Sequence, residues 1–157
     1  KVAWTDTPQQ IQNYRKKLSG PLLDRFDLHV EVAFQAGAVL LGKPAPAESS
    51  ATVYQRVKQA RQRQLDRQNK LNSELKPAEL ERFCALQPQT QSMLERAMDK
   101  LALSARGAHR VIRVARTLAD LSGDEQLGTA HLGEALAYRG WIDSQAFETY
   151  CFITTSS

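Results

Sequence analysis

The stretch LSARGAHRVIRVARTLADLSG, residues 103–123, decides the fold class. Ser104 offers a hydroxyl to cap a helix, and Val111, Val114, Leu118 and Leu121 follow at spacings of three and four, the period of one helical face. Ser122 and Gly123 stop the run, because glycine readily takes the left-handed conformation that closes a last turn. Arg106, Arg110, Arg113 and Arg116 are interleaved with the apolar stripe, and Asp120 is the only acid among them. Two readings of these arginines stand side by side. One is a solvated basic face. The other is recognition of an anion, phosphate above all, by an arginine near the helix start, where a planar fork of donors adds to the positive end of the helix dipole.

Outward from this helix, the C-terminal half reads as a bundle of about five helices. Downstream, a tight turn over residues 123–128 leads to TAHLGEALAYR, with Thr129 as the expected cap and Leu132, Ala135 and Leu136 facing inward. Upstream, Pro88 opens a helix whose Leu94, Met98 and Leu101 share a face, and Pro77 opens a shorter one to about Leu86. Met93 and Met98 read as core fillers. Earlier still, Ser49 and Ser50 cap a long helix to about Leu71, in which Arg56, Lys58, Arg61, Arg63, Arg67 and Lys70 face only Asp66. Its apolar stripe, Val53, Val57 and Ala60, is thin, so it packs on one side and exposes the rest, either to solvent or to a nucleic acid or neighbouring subunit.

The first third of the chain has a different character. Thr7, Pro8 and Gln10 form the start signal of a short helix whose Ile11, Tyr14 and Leu18 mark a buried side. After the break at Ser19, Gly20 and Pro21, a brief turn precedes LHVEV, residues 28–32, which alternates as a strand does. A lone strand leaves its backbone donors and acceptors unanswered, so its partners are expected outside this sequence or in another chain. Residues 33–49, rich in Ala, Gly and Pro, read as a linker, and residues 141–157 as an unassigned tail.

Composition narrows the function classes. The 157 residues carry a formal charge of +4 and 42% hydrophobic residues, enough for a core without staples. Cys84 and Cys151 lie far apart without metal-ligand spacing and read as free thiols, which suits a reducing cytoplasm. No apolar run approaches the length of a membrane span and no secretory leader pattern is visible, so a soluble intracellular protein is expected. His29, His109 and His131 have neither metal spacing nor a nucleophile beside them, so no metal site is expected. Gly37, Gly42 and Lys43 fit the spacing of a phosphate-binding loop, but Pro44 stands where a magnesium-binding Ser or Thr belongs and no helix follows, so linker is the better reading. Arg25, flanked by Asp24 and Asp27 just before the strand, is open to two roles: it pairs with those acids, or it reaches a phosphate held by another subunit.

Four blocks in this order carry a family resemblance: SGPLLDRFDLHVEV (residues 19–32), ESSATVYQRVKQARQRQLDRQNKLN (48–72), LSARGAHRVIRVARTLADL (103–121) and TAHLGEALAYR (129–139). Together they resemble the C-terminal part of the magnesium-chelatase-like AAA+ ATPases. The resemblance implies a mainly α chain: residues 1–32 as the end of an α/β ATPase core with its one strand, residues 33–49 as linker, and residues 50–140 as the helical lid domain. It implies that Arg25 is an arginine finger acting in trans on a neighbour's ATP, and that Arg106 is the sensor-2 arginine meeting the γ-phosphate. It further implies ATP and Mg2+ as cofactors of the intact protein, none being expected on this piece alone. The implied partners are further copies of the same chain in a hexameric ring, with DNA as a candidate substrate and no membrane. The Walker A, Walker B and sensor-1 elements would precede Lys1, so the piece alone is not expected to hydrolyse ATP. Two other readings stay open: a free-standing basic helical module for nucleic acid, and the motor subunit of a magnesium chelatase.

Overall fold

The computed structural model describes residue 13, residues 25–30 and residues 47–139. Over the last range the chain forms α1 (Ser50–Gln68), α2 (Pro77–Phe83), α3 (Pro88–Lys100), α4 (Ala105–Ser122) and α5 (Thr129–Ala137), with one 3-10 turn at Asn72–Glu74. The mainly α expectation holds. The helix over residues 7–18 lies outside the described residues except for Asn13, which is helical. The glycine-rich loop at residues 37–43, most of the linker, Cys151 and the tail also lie outside them.

Helix α4 is the element on which the others pack: it touches α1, α2, α5 and the 3-10 turn, while α3 packs on α5. Both its ends close as the sequence requires. The Ser104 hydroxyl accepts from the Gly107 N–H at 3.0 Å, and Gly123, at φ 88°, donates its N–H to the Ala119 carbonyl at 2.9 Å. The inward line differs from the expected one. Ala108, Val111, Ala115 and Ala119 are buried, while Val114 and Leu118 pack at the flank and Leu121 is partly exposed. Alanine at the centre of the face lets a neighbour come close, and α5 does so with the buried Leu132, Ala135 and Leu136 that the sequence pointed to.

Helix α1 is capped at Ser49, whose hydroxyl accepts from the Thr52 N–H at 3.1 Å, but it ends at Gln68, three residues short of the expected Leu71. Asn69 takes the left-handed conformation at φ 54° and sends its N–H back to the Leu65 carbonyl at 2.8 Å. The expected stripe of Val53, Val57 and Ala60 also needs correction. Ala60 is buried, Val57 is 43% exposed, and the buried side runs on through Gln64 and Gln68. This seam is built from hydrogen bonds: the Gln64 side-chain oxygen accepts from the Asn72 N–H at 3.0 Å, and the Gln68 amide donates to the Asn72 side-chain oxygen at 2.9 Å.

The short helices begin at Pro77 and Pro88 as read, and α2 stops at Phe83, not Leu86, because Leu86 turns away to form a single parallel bridge with Leu127. Cys84, at the end of α2, is 3% exposed, and burial pushes its thiol up to about 11. Helix α5 starts at Thr129, so Gly128 occupies the cap position assigned above to Thr129. Glycine has no capping side chain, and His131 supplies the acceptor: its Nδ1 takes the Gly128 N–H at 3.1 Å, which leaves the ring proton on Nε2 to donate to Asp124 at 3.0 Å. Residues 28–30, the described part of the expected strand, make one backbone bond to the bundle, from the His29 N–H to the Tyr138 carbonyl at 2.8 Å.

Candidate functional site

The arginines of α4 separate by what they touch. Near its C-terminal end, Arg116 is 3% exposed and Asp120 0%. Arg116 donates to the Asp120 carboxylate from Nε at 3.2 Å and Nη2 at 2.9 Å, and to the carbonyls of Asp124 and Glu125, each at 2.7 Å. Arg67 of α1 grips the same carboxylate with two nitrogens at 2.6 and 3.0 Å, and the Asn72 amide adds a further bond at 2.8 Å. Burial pushes the Asp120 carboxyl upward, but the donors of Arg67, Asn72 and Arg116 outweigh it and hold the group below the ordinary carboxylate range. A solvated basic face is thus the wrong description of Arg116. A cleft of about 450 Å³ opens beside this cluster, lined by Arg63, Arg67 and Arg116, each of which already donates to a protein acceptor.

At the middle of α4, Arg113 gives two bonds to the Leu75 carbonyl, at 3.1 and 2.6 Å, and so ties α4 to the chain entering α2. Arg110 turns toward the N-terminal segment. Its Nη1 donates to the Arg25 carbonyl and to the Asp27 carboxylate, each at 2.6 Å. Arg139, buried just after α5, reaches the Phe26 carbonyl at 3.4 Å, and its guanidinium lies over Gly107, where a Cβ would come within 3.5 Å of Nη2. His29 sits beside it, edge-on to Phe26. Burial, and then the charge of Arg139, lower the His29 pKa from its ordinary value, against a smaller upward pull from the Tyr138 backbone.

Arg106 and Arg25, the two residues singled out in the sequence, both project from this end, and both are exposed. Among the described residues, no hydrogen bond or ion pair engages either guanidinium. Arg25 does not take Asp27, because Arg110 holds that carboxylate, and Asp24, the other acid it was expected to pair with, lies outside the described residues. Since Arg106 and Arg110 are one turn apart on the same face of α4, the grip of Arg110 on residue 25 brings the Arg25 backbone to the Arg106 end of the helix. The result is a pole to which Arg25, Arg106, Arg110 and Arg139 all belong; Arg110 holds the Asp27 carboxylate, and among the described residues nothing engages the guanidiniums of Arg25 and Arg106. An oxyanion with several acceptor oxygens, such as phosphate, matches those donors. The sequence reading did not foresee the part played by Arg139. Its signal was Gly107, a glycine inside the first helical turn where no cap or turn needs one.

The basic helix α1 is less of a surface than its composition suggests. Arg63 donates to the Asp120 carbonyl, Arg67 to its carboxylate, Arg56 to Glu48 and Lys70 to Glu79. That engages three of the five cations of α1, and Lys70 just beyond it, within the chain and weakens the case for a nucleic-acid face there. No described helix is long and apolar enough to cross a membrane.

Comparison with known proteins places the same residues in context. The family model described as magnesium chelatase, subunit ChlI C-terminal, matches residues 47–139, and the one described as magnesium chelatase, subunit ChlI, matches residues 2–39. The chain is 43% identical over 136 residues to the competence protein ComM of Haemophilus influenzae, covering 87% of this chain and 27% of that protein. It is 45% identical over 133 residues to the protein YifB of Escherichia coli K12, covering 85% of this chain and 26% of that one, and 42% identical to YifB of Salmonella typhimurium over the same shares. The chain therefore spans about a quarter of the length of the curated relatives it matches.

Proposed function

The chain belongs to the magnesium chelatase subunit ChlI C-terminal family, and from that premise we propose that it is the lid segment of a longer AAA+ ATPase of the ComM type. Arg106 meets the γ-phosphate of bound ATP at the first turn of α4. Arg25 reaches, in trans, the ATP of a neighbouring copy in a hexameric ring. ATP, with its Mg2+, supplies the phosphoanhydride whose hydrolysis drives the ring, and the rest of its site belongs to the part of the longer protein that this chain does not span. The guanidinium suits both positions because it stays charged at any physiological pH and pairs with two phosphate oxygens at once. Ring motion acts on DNA, the substrate that the family resemblance favours over a porphyrin.

One observation carries this reading. Of the four arginines on α4, Arg110, Arg113 and Arg116 are used by protein acceptors, and among the described residues Arg106 has none. An arginine without an acceptor at a helix N-terminus has its donors free for a ligand. In the full-length protein, Arg106→Ala and Arg25→Ala should each lower ATP turnover by about tenfold or more while the fold is kept. Wild-type turnover in both variants would sink the assignment. The rival of a free-standing nucleic-acid module is tested by titrating the chain with duplex DNA at two salt concentrations: a module binds and weakens steeply with salt, whereas a lid binds poorly at both.

A further inference from the structure

Residues 25–29 have three anchors on the bundle. Arg110 of α4 donates to the Arg25 carbonyl at 2.6 Å, Arg139 donates to the Phe26 carbonyl at 3.4 Å, and the Tyr138 carbonyl accepts the His29 N–H at 2.8 Å. Two of these come from the residues just after α5 and hold Phe26 and His29. Among the described residues, Arg110 alone bonds the backbone of residue 25, whose guanidinium none of them engages.

Its geometry is that of a brace. The Arg110 side chain is only 14% exposed and is held in place by the bundle, while the Arg25 carbonyl it reaches lies at the surface, so the bond is a charge-assisted one at the edge of the bundle. Asp27, the second acceptor on the same nitrogen, is 58% exposed, so that ion pair adds direction more than strength. Arg110 also stands one helical turn from Arg106 on one rigid helix.

We propose that Arg110 is a positioning residue that fastens the backbone at Arg25 to the helix bearing Arg106, so that the two phosphate-seeking guanidiniums move together. This rests on the roles given above to Arg25 and Arg106, and it adds a mechanical link between them. A shift of α4 as Arg106 engages or leaves its phosphate is passed through Arg110 to residue 25, and so to the nucleotide of the next subunit. Removing Arg110 leaves the Arg139 and Tyr138 anchors, so the segment stays docked while the Arg25 end loosens.

The test is a double-mutant cycle on ATP turnover in the full-length protein, with melting temperature followed in parallel. Arg110→Ala should lower kcat by roughly tenfold to a hundredfold, the scale of a small misplacement of a catalytic group, with KM for ATP unchanged. Arg25→Ala together with Arg110→Ala should be no slower than Arg25→Ala alone, because a brace has nothing to position once the guanidinium is gone. Arg110→Lys, which keeps the charge and one donor, should recover part of the loss, and it carries the same cycle if the alanine variant does not fold. Wild-type turnover in Arg110→Ala beside an impaired Arg25→Ala overturns the proposal and leaves the finger reading standing, as do losses that multiply in the double variant. Wild-type turnover in Arg25→Ala removes the finger reading, and this proposal with it.

Discussion

The two ends of α4 put the same side chain to opposite use. At the C-terminal end, Arg116 and Arg67 close on the buried Asp120, with the Asp124 and Glu125 carbonyls completing the donors' needs. At the N-terminal end, Arg106 and Arg25 stand beside Arg110, with no acceptor of their own among the described residues. Charge count does not separate these ends. What separates them is the supply of acceptors: an arginine whose acceptors fold with it is part of the scaffold, and one left without them is available to a ligand.

If that contrast is right, substitutions along α4 should fall in a definite order. The largest effect belongs to Asp120→Ala, which strands two guanidiniums, one of them 3% exposed. Breaking such a pair costs about 3–5 kcal/mol, and a thermal melt that stays near wild type would abolish the distinction between the ends. The same carboxyl has an acid signature. Its native pKa lies below the unfolded one, so the folded state binds fewer protons; the stabilisation is present above the ordinary carboxylate value of about 4 and drains away as pH falls through it toward the lower native value. Asp120→Asn should flatten that part of the stability curve measured by urea unfolding from pH 6 downward.

Next comes Gly123→Ala. At φ 88° an alanine bears a left-handed penalty of about 1–2 kcal/mol, and its Cβ would crowd the Arg63 guanidinium at 3.2 Å, so chemical denaturation should show a clear loss. A smaller cost, about 1 kcal/mol, is expected for Ser104→Ala, which exposes the Gly107 N–H without touching the core. Arg106→Ala should be the mildest, within about 0.5 kcal/mol of wild type in the same assay. A destabilisation of Arg106→Ala comparable to that of Asp120→Ala would mean that the exposed end is scaffold too, and the comparison would collapse.

What could be read in advance follows from how far apart the deciding groups lie. Helix α4 was legible because cap, period and stop all sit within its own turns. The end of α1 was not, because it is set by Asn72 and by an Asp120 that meets Arg67 across 53 positions of sequence. Gln64 and Gln68 look like surface residues until Asn72 is placed beside them, and so the apolar stripe was drawn through Val57 instead. The candidate site shows the same limit. Arg25 and Arg106 could be picked out as residue types in suggestive places, with roles suggested by resemblance, but the bond that brings them to one pole joins Arg110 to a carbonyl 85 positions away. Arg110 and Arg116 are alike in the sequence, six positions apart on one helix, and only the folded chain distinguishes a brace from a buried ion pair.

Cys84 turns the bundle into its own clock. With its thiol at about 11 and its side chain closed off between α2 and the core, the thiolate fraction at neutral pH is on the order of one in ten thousand, and a thiol reagent has no route to it while the helices are packed. Once Cys151 is replaced by serine, the speed at which a reagent labels the chain counts how often the bundle opens. That single rate can be followed in this chain through each of the α4 variants named here.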